Sequence, residues 1–503
     1  MRTSIWAVQF IPSLLFKSIN HTEVNQFRGF ACRAAAIALL ALMNFACLSS
    51  GASGPQSLWT DKYKGTQIEA MEAVDVIVDN AYTYTLGNMD LANGEEWAVV
   101  LKYDNNKGPG NDEAVLLQEK LWLAAGDTHT RSKDFVMDSN GDLVIAGKRG
   151  NAETWFVTKL DGNTLDIIWD TTWSSDGNSD AYTLAVGPSG DVYVGGFYGK
   201  DRFATAKFDA TTGAKEWDHK IGCCFNGVIK DKSRWDSLVV TDNNGDEWLY
   251  ITHAGSGGLN SNPSGMDIRW YKGDNSVQGS QGINMDSNAS DYKLMLHPDG
   301  YIVMAGNQGS TVRVKRLNFG SSGLASVSDI INFSINFTFR AMAADADGAL
   351  YISGDTGSGS NTNAYLAKYD PSCVSGPNTL CWDHTFNHSN VFNLSVSLLG
   401  IPIIETFSQE EVKDLLIVDD LIYMLTSSLT SDMVIENQHV TELVGYNRDT
   451  GASEVKVQIQ ASDTAGAAVS PTNPTAIHVT GVNTMTLGGD PDIYLYTRAI
   501  MGL

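Results

Sequence analysis

The sequence holds no apolar run long enough to cross a bilayer as a helix. The longest, AAAIALLALMNFACL at 34–48, has the length of a signal-peptide core and falls short of the roughly 20 residues a span requires. A transmembrane helix is therefore not expected. Positive charge is scarce as well: 34 Lys and Arg stand against 58 Asp and Glu, a formal charge of −24. Such a chain repels nucleic acid and anionic membrane surfaces, so neither is an expected partner. Cysteine is limited to six residues. There is no Gly-x-Ser-x-Gly elbow, no His-Glu-x-x-His and no phosphate-binding loop. Paired carboxylates such as Glu95-Glu96 and Glu410-Glu411 are sequence neighbours on expected loops, and nothing sets them across a sugar from each other.

What is abundant is glycine, at 48 residues, within a chain that is 43% hydrophobic and 10% aromatic. That balance suits β-strands with many turns. The N-terminus reads as a leader over residues 1–52. Arg28 and Arg33 precede the apolar run, and SSGASG follows it. The segment before the run is long for a leading region, so a translation start downstream of Met1 is expected. Ser50-Gly51-Ala52 offers a cleavage site; Ala46-Cys47 offers a lipoprotein junction instead, with a lipid anchor at Cys47 and Asn44 where leucine is usual. Residues 1–52 carry four basic side chains and one acidic one, which puts the remainder at −27. An exported protein is expected: periplasmic, outer-membrane-associated or extracellular. In an oxidising compartment Cys373 and Cys381, flanking VSGPNTL, should pair. Cys223 and Cys224 then either pair with each other or stay reduced.

Internal repetition decides the fold. MDSNGDLVIAGKRGNAETWFVTKLDGNTLDIIWDTTW (137–173) and VGPSGDVYVGGFYGKDRFATAKFDATTGAKEWDHKI (186–221) share one plan: strand, Gly turn, strand ending in Gly, polar loop, alternating strand, Asp/Gly turn, strand with Trp. The second strand recurs from YTYTLG (82–87) to IHVTG (477–481), and the third from WAVVLKYD (97–104) to DIYLYT (492–497). This predicts an all-β, eight-bladed β-propeller of four-stranded blades in one domain, residues 55–503. The blades fall at about 68–123, 130–173, 179–221, 234–283, 290–334, 337–386 and 412–459, with the eighth at 474–500 plus 57–64. The fourth strands carry Trp122, Trp169, Trp217 and Trp382 as structural blade residues. The last unit lacks a fourth strand, and SLWTDKYKG at 57–65, with Trp59, supplies it from the other end of the chain. That closure removes two sheet edges.

The stretch VYVGGFYGKDRFATAKFDATTGAKEW (192–217) resembles the quinoprotein-type (PQQ-like) β-propeller repeats. In that family an Asp-x-x-Thr-Gly turn precedes a Trp that packs between blades; here these are Asp209, Thr212, Gly213 and Trp217. The resemblance is partial around Trp169 and around Tyr369, Asp370 and Trp382. It implies the propeller fold. In the eight-bladed quinoprotein alcohol dehydrogenases a vicinal disulfide lies against the quinone, which implies that role for Cys223–Cys224 if this chain carries PQQ and calcium. The family's calcium-ligating Glu, Asn and Asp, its Asp base and its stacking Trp find no matching positions in this sequence.

Asp-rich turns DSNGD (138–142), DNNGDE (242–247) and DADG (345–348) have the oxygen spacing of calcium loops but lack the later Glu, and turn geometry alone accounts for them. His384 and His388 have a zinc-like spacing within an expected loop without a third ligand. Ser408 and Glu411 read as a short capped helical turn. The loops after the second strands and the connection before blade 4 supply candidates for a ligand face: Lys148, Arg149, Tyr198, Lys200, Arg202, Arg234, Trp235 and Asp355. No cofactor is expected. The expectation is a non-catalytic exported binding or scaffold propeller with a protein or glycan partner; the alternatives are a PQQ- and calcium-dependent dehydrogenase and a carbohydrate-active propeller.

Overall fold

Strands dominate because most segments between Gly/Asx turns are apolar at every position or at every second one. Val192–Phe197 is buried throughout, as a strand covered on both faces must be. Ile167–Trp173 alternates instead, with Trp169 and Trp173 inward and Ile168 and Asp170 outward, as on an outermost strand with one wet face. The computed structural model describes residues 56–501 apart from 65–67, 106–115, 123–126, 174–178, 200–201, 223–234, 255–264, 287–290, 309, 359–360, 374–379, 387–395, 399–400, 404–405, 432–437, 460–462, 472, 474–475 and 486–491.

Eight four-stranded antiparallel sheets form, seven of them built from four strands consecutive in sequence. The first strand of each packs against the first strands of both neighbours, and these contacts return from the eighth sheet to the first. The chain is an eight-bladed β-propeller. Its core is divided among eight apolar clusters, one in each seam between blades. The ring closes through Gln56–Tyr63, which pairs antiparallel with Asp492–Met501, from Gln56 opposite Met501 to Tyr63 opposite Leu495.

Two expectations need correction. Blade 8 begins at Asp463–Val469, earlier than 474, since this strand is the inner member of that sheet. Ser408 to Glu411 is not helical: it lies in Thr406–Val418, paired with Leu421–Ser431. A pairing partner overrides the local capping signal, and the side chains follow period two. Glu410 is buried with Oε2 accepting the Ala364 N–H, while Glu411 reaches Arg340 at 3.0 Å. A further two-stranded sheet, Val396–Leu398 with Ile401–Ile403, stands in the connection before blade 7.

Polar clamps register each blade against the first strand of the next. In blades 1, 5 and 6 the residue after the second-strand glycine reaches the next blade's backbone. Asn88 Oδ1 accepts the Ser132 N–H at 2.8 Å, Asn307 Oδ1 that of Phe339 at 2.8 Å, and Asp355 Oδ1 that of Val412 at 2.8 Å. In blades 2, 4 and 7 the clamp is an aspartate of the inner wall: Asp134, Asp236 and Asp414 accept from Leu184, Leu294 and Ala467. At the other two seams hydroxyls take over, Thr183 with Ser237 and Thr85 with Thr497.

A second repeated device sits at the turn between third and fourth strands. The Trp169 indole donates to the Ala210 carbonyl, Trp217 to Gly273 and Trp382 to Arg448, each at 3.1 Å and each in the next blade. Third-strand lysines join them: Lys102 donates to the carbonyls of Gly162 and Asn163, Lys159 to Ala210 and Lys368 to Arg448. The receiving turns are Asx turns. Asp209 Oδ1 accepts from Thr211 and Thr212, and Asn447 Oδ1 from Asp449 and Thr450. Gly213 and Gly451 close these turns at φ 66° and 71°; Leu165 takes the same place in blade 2 at φ 56°. Trp59 and Trp122 lie in the strands Gln56–Tyr63 and Leu116–Trp122.

Candidate functional site

Strand direction alternates within a blade. The turn between second and third strands therefore leaves from the same face as the connection to the next blade, here called the upper face. The turns between first and second strands, and between third and fourth, leave from the lower face.

The Asp-rich turns are on the lower face, and their oxygens are engaged by protein. Asp138 Oδ1 accepts from the Asn140 and Asp142 amides, and its Oδ2 lies 2.7 Å from Lys159 Nζ. Asp242 accepts from Asn244, Asp246 and the Trp248 indole, and Asp345 from Asp347, Ala349 and the Tyr351 hydroxyl. Asp191, Asp209 and Glu216 also gather there, but the Lys207 ammonium bridges Asp191 at 2.7 Å and Glu216 at 2.8 Å. A lysine fills that acidic group.

Of the eight ligand-face candidates, the structure brings two into one cleft: Lys148 and Arg149. Tyr198 lies against Trp173, its ring 4.1 Å from Lys220 Nζ. Arg202 opens the third strand of blade 3 with its side chain exposed. Asp355 is buried as an interblade clamp, ion-paired to Arg340. Trp235 is core: 6% exposed, stacked on Tyr182 and edge-on to Phe197 and Phe203. An apolar ring followed by an inner strand is better satisfied in a seam than at a wet rim. Lys200, Arg234, Cys223 and Cys224 lie outside the described residues. Cys373 and Cys381 form a disulfide, with Cα atoms 5.3 Å apart.

The cleft holds about 400 Å³ and opens on the upper face between blades 1 and 2. Glu96 enters from the start of the strand Glu96–Asp104. His129 comes from the connection into blade 2, bridged to Glu96 through the backbone. Lys148, Arg149, Gly150, Asn151, Ala152 and Glu153 come from the blade 2 turn. Gly150 turns at φ 72°, and a methyl group there would stand 2.9 Å from Asp127 Oδ1, so the Asp127 carboxylate overhangs the turn. Ion pairs fix the walls. Lys148 meets Glu153 at 2.8 Å, and Arg149, itself buried, grips Asp170 with both terminal nitrogens at 2.7 and 3.0 Å. Arg131 sits among three carboxylates: Glu72 at 3.0 Å, Asp90 at 3.2 Å and Glu96 at 3.4 Å.

The acid–base properties follow. Burial works against the charge of Arg131, but Glu72, Asp90 and Glu96 outweigh it and hold the guanidinium more firmly protonated. Burial likewise pushes the Glu72 carboxyl up, yet Arg131 and Lys133 reverse this and it ionises more readily than usual. Asp90 is raised, by burial first and by Glu96 and Glu72 in addition. Burial lowers Lys148, and its bond to Glu153 more than restores it. Glu72, Asp90 and Glu96 against Arg131 and Lys133 leave a charge of −1, and Asp127 adds to it, since the Lys148–Glu153 and Arg149–Asp170 pairs cancel. His129, Asn151 and Glu153 are not singled out in the sequence, and Glu96 enters there only as a neighbour of Glu95; the legible signal is position, next to turns that the repeat places on one face.

Trp97 follows Glu96 on the same strand and faces the other way. It lines a second pocket of about 400 Å³ with Tyr63, Ile68, Met89, Leu91 and Leu121, between blade 1 and the N-terminal strand of blade 8. Cys223 and Cys224, beside which the resemblance would place a quinone with calcium, belong to the connection 223–234 that lies outside the described residues.

No protein-family model matches the chain, and no curated protein does. Among solved structures it is similar to the Dos1 propeller, at 9% identity and TM-score 0.49 over 89% of this chain and 95% of that one. It is also similar to a europium-containing methanol dehydrogenase (10%, 0.49, 90% and 99%) and to an ulvan lyase of polysaccharide lyase family PL25 (12%, 0.39, 86% and 93%). At these values no function passes from any of them to this chain.

Proposed function

We propose that the chain is an exported, non-catalytic binding propeller whose ligand site is the upper-face cleft between blades 1 and 2. The observation carrying this reading is the cleft itself: Glu96, His129, Lys148, Asn151 and Glu153 converge from two blades onto one concave, polar surface. Its charged groups are held by ion pairs to neighbours, which suits a preorganised hydrogen-bonding surface. The Cys373–Cys381 disulfide supports an oxidising compartment, and with it the reading of residues 1–52 as a leader.

A melting screen of the purified protein against neutral glycans, acidic glycans and short peptides tests the site. A ligand that raises Tm in the native chain should lose its effect in Glu96→Gln and keep it in Asp299→Asn, an exposed lower-face control. A ligand whose effect ignores Glu96 places binding elsewhere. Export is tested separately by sequencing the N-terminus of the mature protein: a start near residue 53, or a blocked Cys47, is expected, and an intact Met1 overturns it.

A further inference from the structure

We propose that the upper edge of blade 1 recognises an extended basic peptide segment. A lysine or arginine side chain enters the Glu96 cleft, and an apolar side chain enters the Trp97 pocket. This rests on the reading of the cleft as the ligand site and names its ligand class.

Three observations lead there. First, the two concavities flank one hairpin, whose strands Tyr82–Leu91 and Glu96–Asp104 end in the exposed turn around Gly94. Consecutive strand residues point to opposite faces, so Glu96 and Trp97 present a carboxylate on one side and an indole on the other. The Trp97 indole donates to Glu95 Oε2 at 3.0 Å, which fixes the ring against the hairpin. Second, the chemistry of the two sides differs. The polar side carries an excess of −1 from Glu72, Asp90 and Glu96 against Arg131 and Lys133, with Asp127 adding to it. The other side is lined by Ile68, Met89, Leu91 and Leu121 beside Trp97, with Lys64 and the Tyr63–Glu119 hydrogen bond of 2.6 Å also bordering it. A cation is complementary to the first and an aliphatic or aromatic side chain to the second. Third, a ligand spanning both must be long and narrow. Crossing a hairpin edge about 10 Å thick at 3.3 Å per residue separates the two anchoring side chains by roughly three or four positions. A peptide has that repeat and carries both chemistries. A sugar supplies hydroxyls for the polar side but no apolar side chain for the pocket, and a nucleic acid brings phosphates to a surface that already has excess negative charge.

The test is selection of a random dodecapeptide phage library on the immobilised full-length protein. Enriched sequences should pair Lys or Arg with Trp, Phe or Leu three or four positions away. For a synthetic version of one such peptide, Glu96→Lys and Trp97→Ala should each weaken binding at least about tenfold, while Trp97→Phe and Asp299→Asn hold within about twofold. Melting curves of the variants report whether each still folds. Affinity should fall as salt rises, and less steeply in Glu96→Gln, which removes one of the carboxylates on the polar side and leaves Glu72, Asp90 and Asp127. Enrichment of acidic sequences, or of binders that ignore both substitutions, overturns the assignment. A glycan that stabilises the native chain and loses its effect in Glu96→Gln would overturn the peptide and keep the cleft as a binding site. If no ligand of either kind depends on Glu96 or Trp97, both readings fall.

Discussion

Replacing Gly213 by alanine should cost far more than a glycine-to-alanine change in an open turn. Gly213 closes the blade 3 Asx turn at φ 66°, and an added Cβ would lie 2.5 Å from Cδ2 and Cε3 of the Trp169 ring. Two terms add. Holding an L-residue in the left-handed region costs about 1–2 kcal/mol. Pushing the ring off the turn is overpacking, about 1–3 kcal/mol, and it also strains the indole's bond to the Ala210 carbonyl. The sum is roughly 2–5 kcal/mol. Gly141 provides the control: it sits at φ 83° with nothing within 4 Å of its added Cβ, so only the first term applies. Urea unfolding followed by far-UV circular dichroism measures both. The decisive comparison repeats Gly213→Ala in a Trp169→Ala background, where the ring is gone and the cost should shrink to the backbone term. The coupling energy of that cycle should be about 1–3 kcal/mol. If Gly213→Ala costs no more than Gly141→Ala, or costs the same with and without Trp169, the docking argument is wrong.

Asn307→Ala removes the clamp between blades 5 and 6 and leaves the buried Phe339 N–H and Phe337 carbonyl without it; a loss of about 2–4 kcal/mol in urea unfolding is expected. Burial, with Asp75 adding to it, pushes the Asp414 carboxyl up to about 6. Its folded value exceeds its unfolded one, so stability is fully present below the usual carboxylate value and is lost as pH rises through about 6, with a constant penalty above that. Stability should rise as pH drops from about 6.5 towards 4, and Asp414→Asn should flatten that slope in pH-dependent melts. Replacing Cys373 and Cys381 by serine releases a short loop and should cost about 2–3 kcal/mol, read as a lower urea midpoint under non-reducing conditions.

The sequence carries the propeller in its periodicity. LVIAG, VYVGG and LYISG are apolar at nearly every position because they are second strands covered on both faces, and that pattern needs no knowledge of neighbours. The Trp of the fourth strand is legible for the same reason. What it touches is not: Trp169 binds a carbonyl 41 residues later, across a seam. Asn88, Asn307 and Asp355 stood one place beyond the strand endings used to count blades, and each looks like an ordinary turn residue until the next blade is in place. Trp235 and Asp355 were misplaced on the rim for one physical reason. Sequence position near a loop says which face a residue starts from, not whether a seam is there to bury it. Ser408 to Glu411 was read as helical because capping is local and strand pairing is not.

The closing strand also sets a schedule. Gln56–Tyr63 is the first blade strand to be made, and its partner Asp492–Met501 is the last. At 5–20 residues per second the wait between them is roughly 20 to 90 s. Through that interval blade 8 does not exist, the seam between blades 8 and 1 is open, Thr85 lacks the Thr497 hydroxyl it later bonds, and Asp61, though made early, has no sheet to hold it against Tyr103. The final rigid ring therefore cannot form on the ribosome ahead of the last strand. A chain that stays incomplete until its end emerges is one that can still be threaded elsewhere before it locks.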